Sequence, residues 1–538
     1  MSRQDSVQGS SPPIRLLLIV LLFGLVLRLG ISSRDITTLD RLFIPDDTYY
    51  TLSIARSLAE GEGPSVDGQT TTNGFQPLIA FLEVPLFWIS DGPDTPLRAI
   101  MVALALADVL AAFLLALLAR RLAGWEGAIV AASVWMVSPV AIKNALGGLE
   151  TTLALAICLG TVEAWCRAAE RDRIRGYALA GGLCGLALLA RVDSAFLVAA
   201  LGVLELGRGR VRQVASAASV AAIVVAPWWL YSTVHHGSPV PESGAAVIQL
   251  VEGHQDLYLT VPMQMGWAAG TLLGPPFMDS VGLRSALLGM SMPSVIAWLL
   301  GMGLLVAGSA RFIRSDSNAI TYPIWAFAVH GLVTCIFYTF MVPALWFFRR
   351  YMVGAEALAT LLLVAVLVHA WRARERSRPL AWAGLAVGVS FSVVALGTSL
   401  RYLWIEPAGT LDVGLHGAAG YREPAQEVLA LVPPGATLGA LQSGALSYFA
   451  GPDQTVVNLD GVVDKGAKAA FGERRLSDYA RERGVGYLAD WQFNLREFTR
   501  TSERSDSMPK ARQVGVGRPQ GRDQFIVLEL EWPPLERD

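Results

Sequence analysis

A succession of long apolar runs constrains this chain more than any other feature. After a first run at 16–31, further runs lie at about 98–119, 126–142, 151–167, 176–190, 193–207, 213–232, 294–310, 320–341, 350–370 and 379–400. Each is roughly 15–22 residues long, near the length with which a helix crosses a bilayer. Only 16% of the 538 residues are charged, against about a quarter in soluble proteins. The sequence therefore predicts an α-helical polytopic membrane protein with about 11 to 13 transmembrane helices.

The first apolar run, "LLLIVLLFGLVLRLGI", follows a polar N-terminus and could belong to a signal peptide. No small-residue cleavage site follows it and Arg28 interrupts it, so we interpret it as an uncleaved first transmembrane helix. The cysteines lie in or beside apolar runs without metal-type or disulfide spacing, which predicts buried free thiols. A net charge of −2 argues against general nucleic-acid binding, since no basic excess is available to neutralise phosphates.

Arginine-rich loops set the predicted orientation, because positively charged loops tend to stay in the cytoplasm. These loops lie at 119–124, 166–176, 208–212, 310–316 and 371–378. The outward segments are then 32–76, 143–150, 233–293, 342–350 and the tail after about residue 401. This assignment requires that segment 77–90 does not cross fully. We therefore predict a multi-pass protein of the cytoplasmic (inner) membrane, with its first loop and C-terminal domain extracytoplasmic.

The tail changes character, which divides the chain into a transmembrane module at 1–400 and a soluble domain at 405–538. Short apolar stretches bounded by turns predict strands at 436–450, 454–461, 484–491 and 524–532. Between them, "GAKAAFGERRLSDYARERG" has helical periodicity and a glycine stop. Strands alternating with helices predict a small α/β domain. The polar segment 503–522 is predicted to be a flexible loop.

Two adjacent acids open the first outward loop, where "PDDTYYTLSIARSLAEGEG" follows the first apolar helix. Apolar residues at Tyr50, Ile54 and Leu58 and a stop at Gly61 predict a helix with Asp46 and Asp47 at its N-terminus. Acids suit the positive end of a helix, so capping is one explanation. Capping needs only one acid, so a functional pair is the other, and the residues leave both open.

Further outward loops concentrate polar residues, each with a plain structural alternative. Lys143 and Glu150 flank a double glycine that could be a polar turn, and two adjacent histidines, His235 and His236, precede Glu242. Adjacent histidines point in different directions, which disfavours a metal pair.

Two arginine-containing motifs interrupt apolar sequence. Arg349 and Arg350 lie at an outer membrane end among aromatic residues, which suits anion recognition at headgroup level or snorkelling to anionic lipid. Arg191 and Asp193 are predicted to form a structural ion pair, because intramembrane charge is costly when unpaired.

These stretches together resemble the bacterial GT-C glycosyltransferases, of the dolichyl-phosphate-mannose protein mannosyltransferase and aminoarabinose transferase type. The resemblance rests on "DDTYYTLSIARSLAEGEGPSVDGQTTTNGFQPL", "GGLETTLAL", "LARVDSAFL", "PWWLYSTVHHGSPVPESGA", "WFFRRYMVGAEAL" and "VVNLDGVVD", from residue 44 to about 464. One departure is Gln76, since related sequences often read NGFHP where this one reads "NGFQP". The resemblance implies a GT-C helical bundle followed by an outer C-terminal domain.

The same resemblance implies a reaction at the outer face of the membrane. A polyprenyl-phosphate-linked sugar would be the donor, and a hydroxyl of an envelope glycan, lipid or protein the acceptor. A carboxylate must take the acceptor's proton, which makes Asp46 or Asp47 the general base. The other acid would orient the base, bind sugar hydroxyls or hold a divalent cation, Mg²⁺ or Mn²⁺. A single displacement at the anomeric carbon predicts inversion of configuration.

The leaving phosphate gains charge, which preorganised cations stabilise. Arg349 and Arg350 are the first candidates, with Lys143, His235 and His236 in reserve. The candidate substrate-binding residues are Tyr49, Tyr50, Asn73, Gln76, Glu150, Glu242, Trp346 and Asp460. For Asp460, in "LDGVVD", a plain turn is the alternative.

Two other functional classes remain alternatives. A lipid-linked sugar transporter or flippase would be expected to show paired repeats with charges near the midplane, and no such repeats are seen. A non-catalytic scaffold for envelope assembly would tolerate substitution of both acids and Arg349. No dinucleotide-binding Gly-x-Gly-x-x-Gly fingerprint follows a predicted strand, as expected if the donor is a lipid phosphate and not a nucleotide.

Overall fold

The computed structural model describes residues 13–90, 92–252, 322–342, 348–372, 378–379, 382, 393, 395–397, 399–404, 420–516 and 524–534. Helices dominate the membrane module. They are α1 (Ile14–Ser32), α2 (Ile36–Phe43), α3 (Asp46–Glu60), α4 (Pro77–Trp88), α5 (Asp94–Met136), α6 (Pro139–Leu146), α7 (Thr151–Arg171), α8 (Ile174–Ala190), α9 (Ala195–Leu206), α10 (Val211–His236), α11 (Glu242–Glu252), α12 (Tyr322–Phe340), α13 (Phe348–Tyr351) and α14 (Val353–Arg372).

Five of the described helices are long and apolar enough to cross a bilayer, namely α1, α5, α7, α10 and α12. Helix α5 contains a break at Gly124 (φ 71°, ψ −167°), so it consists of two helical segments. The apolar runs at 176–190 and 193–207 form two short helices, α8 and α9, which are joined by a 3₁₀ turn at Val192–Ser194. The polytopic helical architecture is confirmed. The number of spans stays a prediction, since several apolar runs lie outside the described residues.

Helix α4 does not cross the bundle. Arg98 of α5 donates hydrogen bonds to the carbonyl oxygens of Ser32 and Arg34, so α5 begins beside the end of α1. At the other end of α4, the Trp88 indole donates to the Ala59 carbonyl. Gly74, just before α4, approaches the C-terminal domain so closely that an added Cβ would lie 2.0 Å from the Val462 carbonyl oxygen. Both ends of α4 therefore lie at the domain end of the bundle, as the predicted topology requires of 77–90.

Small residues and buried polar pairs hold the bundle together. A Cβ at Gly181 of α8 would lie 2.2 Å from the Ala217 carbonyl oxygen of α10, so these helices pack almost backbone to backbone. Between α1 and α5, Arg28 donates to Asp108 at 2.7 Å, and the Trp135 indole donates to the same carboxylate at 2.9 Å. Pairing is what makes a fully buried charge tolerable. The predicted buried free thiols are confirmed for all four cysteines.

The C-terminal domain is an α/β unit, as predicted. Its five-stranded sheet has the order β2-β1-β3-β5-β4. The strands are β1 (Thr437–Ala440), β2 (Thr455–Asn458), β3 (Tyr487–Trp491), β4 (Lys510–Val516) and β5 (Phe525–Glu531). The described helices of this domain are α15 (Arg422–Leu431), α16 (Gly444–Phe449), α17 (Lys465–Glu473), α18 (Leu476–Glu482) and α19 (Gln492–Arg500).

Strands β1, β2 and β3 pair in parallel, whereas β5 pairs antiparallel with both β3 and β4. The prediction of a flexible loop over 503–522 is wrong for its middle part, because β4 lies there. This edge strand is mostly exposed on both faces and has a register shift between Gln513 and Gly515. It therefore lacks the alternating apolar pattern by which a strand is read from sequence, and pairing with β5 forms it instead.

An apolar cluster joins the two modules. It combines Leu39 and Phe43 of α2 and Leu52 of α3 with Val428 and Leu446 of the C-terminal domain. The domain therefore rests directly on the first loop of the membrane module. The boundary predicted near residues 400–405 stays a prediction, since 405–419 lie outside the described residues.

Candidate active site

Helix α3 begins with the acid pair. Pro45 precedes it with an extended backbone (φ −79°, ψ 160°), which fits proline just before a helix, and Gly61 ends it in the left-handed region (φ 85°). The two acids occupy the first two helical positions, about 100° apart around the axis. Their side chains therefore point to different neighbours, as predicted for adjacent residues of a helix.

Asp46 points into the C-terminal domain. Its carboxylate accepts hydrogen bonds from the backbone N–H groups of Gly444 at 2.9 Å and Ala445 at 2.8 Å, at the start of α16. Only 4% of Asp46 is exposed. Burial raises its pKa to about 8, the two N–H donors oppose that rise, and the nearby charges of Asp47 and Asp460 add to it.

The contact between α3 and α16 leaves no room for a side chain at Gly444. A Cβ there would lie 2.3 Å from the Asp46 carbonyl oxygen and 2.8 Å from its carboxylate. At the other end of α16, Arg56 donates to the carbonyl oxygens of Ser447 and Tyr448 at 3.1 and 3.0 Å. One face of α3 therefore binds both ends of α16.

Asp47 points the other way, toward α13. Its Oδ2 accepts a hydrogen bond from Nη2 of Arg350 at 2.5 Å. Both side chains are partly exposed, at 28% for Asp47 and 19% for Arg350. This carboxylate is therefore the member of the pair that a substrate can reach, whereas Asp46 is enclosed.

A tyrosine connects this ion pair to a second one. The Tyr351 ring lies 5.2 Å from the guanidinium carbon of Arg350 and 4.9 Å from that of Arg191. It also stacks on Tyr338, with ring centroids 4.3 Å apart. A cation that lies over the face of an aromatic ring is attracted electrostatically to that ring. The two guanidinium groups are thus held on one aromatic platform beside Asp47.

Arg191 binds two carboxylates at once. It donates to Glu150 at 2.6 Å and to Asp193 at 2.6 Å, and Tyr338 donates to Asp193 at 2.7 Å. The predicted ion pair between Arg191 and Asp193 is therefore present and includes Glu150. Glu150 is buried and lies in a network that ends next to the acid pair, consistent with its place as a candidate.

The loop before Glu150 also supports α3. The Thr48 hydroxyl donates to the Gly147 carbonyl at 2.6 Å. Gly148 has φ +74°, and a Cβ there would lie 2.4 Å from the Thr48 methyl group. The double glycine thus lets this loop press against the first turn of α3, and Lys143 lies one turn earlier, half-buried in α6.

Asp460 follows β2 and reaches the same region from the C-terminal domain. Its carboxylate accepts a hydrogen bond from the Val462 N–H at 2.8 Å, which forms the predicted turn. Burial raises its pKa to about 7, hydrogen bonds from Val462 and Asn458 oppose that rise, and Asp47 and Asp490 add to it. A turn and a place in the site are therefore compatible at this residue.

Tyr49 and Tyr50 lie in the interface and not in an open site. The Tyr49 hydroxyl donates to Asp40 at 2.5 Å. The Tyr50 hydroxyl accepts from the Ser443 N–H at 2.9 Å and from the Asn458 amide at 3.1 Å. Burial raises the pKa of Tyr50 well above its ordinary value. Both phenols anchor the C-terminal domain, which the sequence did not indicate.

The motif "TNGFQP" fastens the first loop to α10 and α11. The Asn73 amide donates to the Ser232 hydroxyl at 2.9 Å, and its oxygen accepts from the Glu242 N–H at 3.3 Å. Gln76 is half-buried, and its Oε1 has no hydrogen-bond partner among the described residues. Asn73 therefore has a structural role, while Gln76 has an acceptor atom to offer.

The two histidines diverge at the end of α10, as predicted for adjacent residues. His235 is exposed and its ring lies 4.5 Å from that of Tyr231. His236 is buried, and its backbone carbonyl accepts from Lys465 at 3.2 Å. The Glu242 carboxylate lies 3.9 Å from Lys468. None of these contacts joins them to Asp47. The side chain of Arg349 and all of Trp346 lie outside the described residues.

Sequence reasoning missed the partners that organise the site. Gly444, Arg56 and Tyr351 carry no motif, and Tyr338 lies in an apolar helix. Another missed residue is Glu83 of α4, which is fully buried with neither carboxylate oxygen hydrogen-bonded within the described part of the chain. An acid inside the apolar stretch "PLIAFLEVPLFW" was the available signal.

The described carboxylates do not assemble a metal centre. No group of three or more His, Cys, Asp or Glu residues that could hold an ion occurs within the described ranges. Asp47 is bound by Arg350, and Glu150 and Asp193 share Arg191. Guanidinium groups thus neutralise the carboxylates that a divalent cation would otherwise bind in this arrangement.

Comparison with known proteins supplies a class for this arrangement. A family model described as dolichyl-phosphate-mannose-protein mannosyltransferase matches residues 93–231. ArnT from Cupriavidus metallidurans bound to undecaprenyl phosphate is 13% identical, with a TM-score of 0.54, over 96% of this chain and 98% of that one. The apo structure of the same ArnT is 12% identical to this chain, with a TM-score of 0.55, and covers the same shares of the two chains. No curated protein matches the chain in sequence.

A third similar structure is an oligosaccharyltransferase from Archaeoglobus fulgidus in complex with Zn and sulfate. It is 14% identical, with a TM-score of 0.51, over 88% of this chain and 67% of that one. The chain therefore has a GT-C-type fold, and among the structures named here it is more similar to ArnT than to the oligosaccharyltransferase. The resemblance noted in the sequence is confirmed.

Proposed function

We propose that the protein transfers a glycosyl group from a polyprenyl-phosphate-linked sugar to an acceptor hydroxyl at the outer face of the cytoplasmic membrane. The observation that carries this proposal is the partly exposed Asp47–Arg350 pair, where the helical bundle meets the C-terminal domain. A carboxylate beside a guanidinium supplies both a proton acceptor and a phosphate ligand. The undecaprenyl phosphate bound to ArnT, which shares the fold, supports this class of donor.

Asp47 is the general base of the proposed reaction. The acceptor oxygen forms a bond to the anomeric carbon, while the bond from that carbon to the phosphate oxygen breaks. The acceptor's proton passes to Asp47, and the lipid phosphate leaves with the bonding electron pair. One displacement inverts the anomeric configuration. Asp46 keeps the first turn of α3 in place through Gly444 and Ala445 and does not touch the substrate.

Arg350 binds the donor phosphate, because a guanidinium matches the geometry of two phosphate oxygens. Arg349 is its neighbour in α13, with Lys143, His235 and His236 as weaker candidates. Asp460 and Gln76 remain candidates for binding sugar hydroxyls, through the carboxylate of Asp460 and through the Oε1 of Gln76, which is buried and has no hydrogen-bond partner among the described residues. The C-terminal domain, extracytoplasmic like the first loop, supplies one wall of the acceptor site. The acceptor is an envelope glycan, lipid or protein.

The resemblance also implies that the acid pair could hold a divalent cation, Mg²⁺ or Mn²⁺. The archaeal oligosaccharyltransferase of similar fold was crystallised with Zn. In this chain Asp46 is occupied by two N–H groups and Asp47 by Arg350. The described side chains therefore do not fit a resident ion, and we derive no step through one. Activity that survives EDTA would agree with this geometry.

The experiment that tests the function uses the full chain in nanodiscs. A panel of polyprenyl-phosphate sugars is offered with Mg²⁺, with Mn²⁺ or with EDTA, and release of polyprenyl phosphate is followed. Release with one donor, in the presence of an acceptor and with inverted product, supports the proposal. A product with the donor's own configuration would exclude single displacement. Movement of intact donor across the vesicle membrane without release would favour a transporter.

A further inference from the structure

The Asp47–Arg350 pair joins residues 303 positions apart and is accessible from outside. The proposed reaction needs both side chains, because Asp47 is the proposed base and Arg350 is the proposed phosphate ligand. In the ion pair each of them is bound to the other. While Arg350 donates to Oδ2 of Asp47, that oxygen is not available to take the proton of an acceptor hydroxyl. The pair as it stands is therefore unsuited to catalysis.

Arg350 has a second support that does not depend on Asp47. Its Nη2 lies 3.4 Å from the Tyr351 hydroxyl, and its guanidinium carbon lies 5.2 Å from the Tyr351 ring. Tyr351 is itself fixed by stacking on Tyr338, which donates to Asp193. The guanidinium can therefore exchange its anion while it stays on this aromatic platform.

When Arg350 moves away from Asp47, the charged neighbours of Asp47 named here are carboxylates. Asp46 precedes it, and Asp47 raises the pKa of both Asp46 and Asp460 electrostatically, so the three carboxyls lie close enough to interact. Only Asp47 among the three is free of backbone N–H donors in the hydrogen bonds of the described residues.

We infer that Arg350 masks the base, and that binding of the donor phosphate removes the mask. The phosphate oxygens take Arg350 from Asp47, and the released carboxylate accepts the acceptor's proton as the new glycosidic bond forms. After transfer, the lipid phosphate monoester holds Arg350 until it leaves, and the ion pair then reforms. This inference rests on the proposed function and makes donor binding precede activation of the acceptor.

The test measures binding of polyprenyl phosphate alone to the full chain in nanodiscs, without any turnover. If Asp47 competes with phosphate for Arg350, Asp47→Asn tightens binding by up to about fivefold, the range that a partly exposed ion pair supplies. Loss of simple repulsion by Asp47 would also tighten binding. The same substitution is therefore repeated in an Arg350→Gln background, where masking predicts no gain.

A matched control is the Arg41–Glu423 pair, which is similarly half-buried and joins the first loop to the C-terminal domain, whereas Asp47–Arg350 joins that loop to α13. Glu423→Gln frees a guanidinium there and should leave polyprenyl phosphate binding unchanged. Thermal unfolding of every variant shows that the fold persists. A gain from Asp47→Asn that vanishes with Arg350→Gln supports masking.

An equal gain in both backgrounds, or no gain in either, overturns the inference. If wild type still releases polyprenyl phosphate from a donor in that case, the proposed function stands without masking. If wild type neither binds polyprenyl phosphate nor releases it from any donor, the proposed function fails and the inference fails with it.

Discussion

The two sides of α3 stabilise carboxylates in different ways. Toward the C-terminal domain, Asp40 and Asp46 accept hydrogen bonds from backbone N–H groups at the starts of α15 and α16. Toward the bundle, Asp47 and Glu150 are each bound by a guanidinium. Neutral N–H donors offset only part of the cost of burying a charged carboxylate. Burial therefore raises the pKa of Asp40 to about 6 and that of Asp46 to about 8.

This difference separates assembly from chemistry. The domain side is enclosed, so its acids hold the two modules together and respond to protons. On the bundle side, Asp47 is partly exposed and balanced by the full charge of a guanidinium, so this side responds to anions. Asp46 and Asp47, although adjacent in sequence, therefore respond to different changes, Asp46 to pH and Asp47 to the binding of an anion.

The largest effect should come from the bundle side. Asp47→Asn removes the proposed base, and we expect the transfer rate to fall by about 10²–10⁴-fold. Thermal stability should change little, because a partly exposed ion pair contributes about 0–1 kcal/mol. Release of polyprenyl phosphate measures the first effect, and Glu60→Gln, at the exposed far end of α3, is the control. A transfer rate within threefold of wild type would rule out Asp47 as base.

Raising the pH should weaken the contact between α3 and the C-terminal domain. The folded-state pKa of Asp46 is about 8, above the ordinary value of 3.8, so the folded protein binds more protons between these values. Its contribution to stability is therefore complete below pH 3.8 and is lost as the pH rises through 8. One carboxyl contributes at most about 1.4 kcal/mol per pH unit.

Thermal unfolding between pH 5 and 8 tests this slope. Asp40, Asp460 and Asp490 have raised pKa values and act in the same direction. Asp46→Asn should flatten the upper part of the slope, whereas Glu60→Gln should leave it unchanged. Stability that rises over this range would contradict the assignment.

A smaller effect is expected from filling the contact between α3 and α16. Gly444→Ala places a Cβ 2.3 Å from the Asp46 carbonyl oxygen, and overpacking of this kind costs about 1–3 kcal/mol. The C-terminal domain should become more sensitive to limited proteolysis. Gly486→Ala, where an added Cβ meets nothing within 4 Å, is the matched control. Equal sensitivity of the two variants would show that close approach at Gly444 is unimportant.

The smallest effect concerns the other end of α16. Arg56→Gln removes charge-assisted hydrogen bonds to two carbonyl oxygens and should lower the free energy of unfolding by about 1–2 kcal/mol. Denaturant unfolding of the protein in detergent measures it. Arg496→Gln, an exposed arginine of α19, should stay within about 0.5 kcal/mol. A loss as large at Arg496 would argue against a specific role for Arg56.

Local sequence pattern was enough for the architecture. Apolar runs predicted the helical bundle, the return of charge predicted the C-terminal domain, and the Arg191–Asp193 pair followed from the cost of unpaired intramembrane charge. The adjacency of Asp46 and Asp47 predicted different neighbours, because successive helical residues diverge. These features all depend on residues close together in the chain.

The identity of the neighbours could not be predicted. Asp46 meets Gly444 across 398 positions and Asp47 meets Arg350 across 303. Neither partner has a local signature, since a glycine at the start of a short helix and an arginine at a membrane end have many ordinary explanations. Strand β4 was missed for a related reason, because only its pairing with β5 defines it.

The contact between Asp46 and Gly444 also sets an order of events during biosynthesis. The ribosome makes α3 early and α16 398 residues later, so the first turn of α3 waits for almost the whole chain before it acquires its partners. A nascent chain with its early helices already inserted still lacks a finished acid pair. A chain whose translation stops before α16 therefore lacks the two N–H groups to which Asp46 is bound.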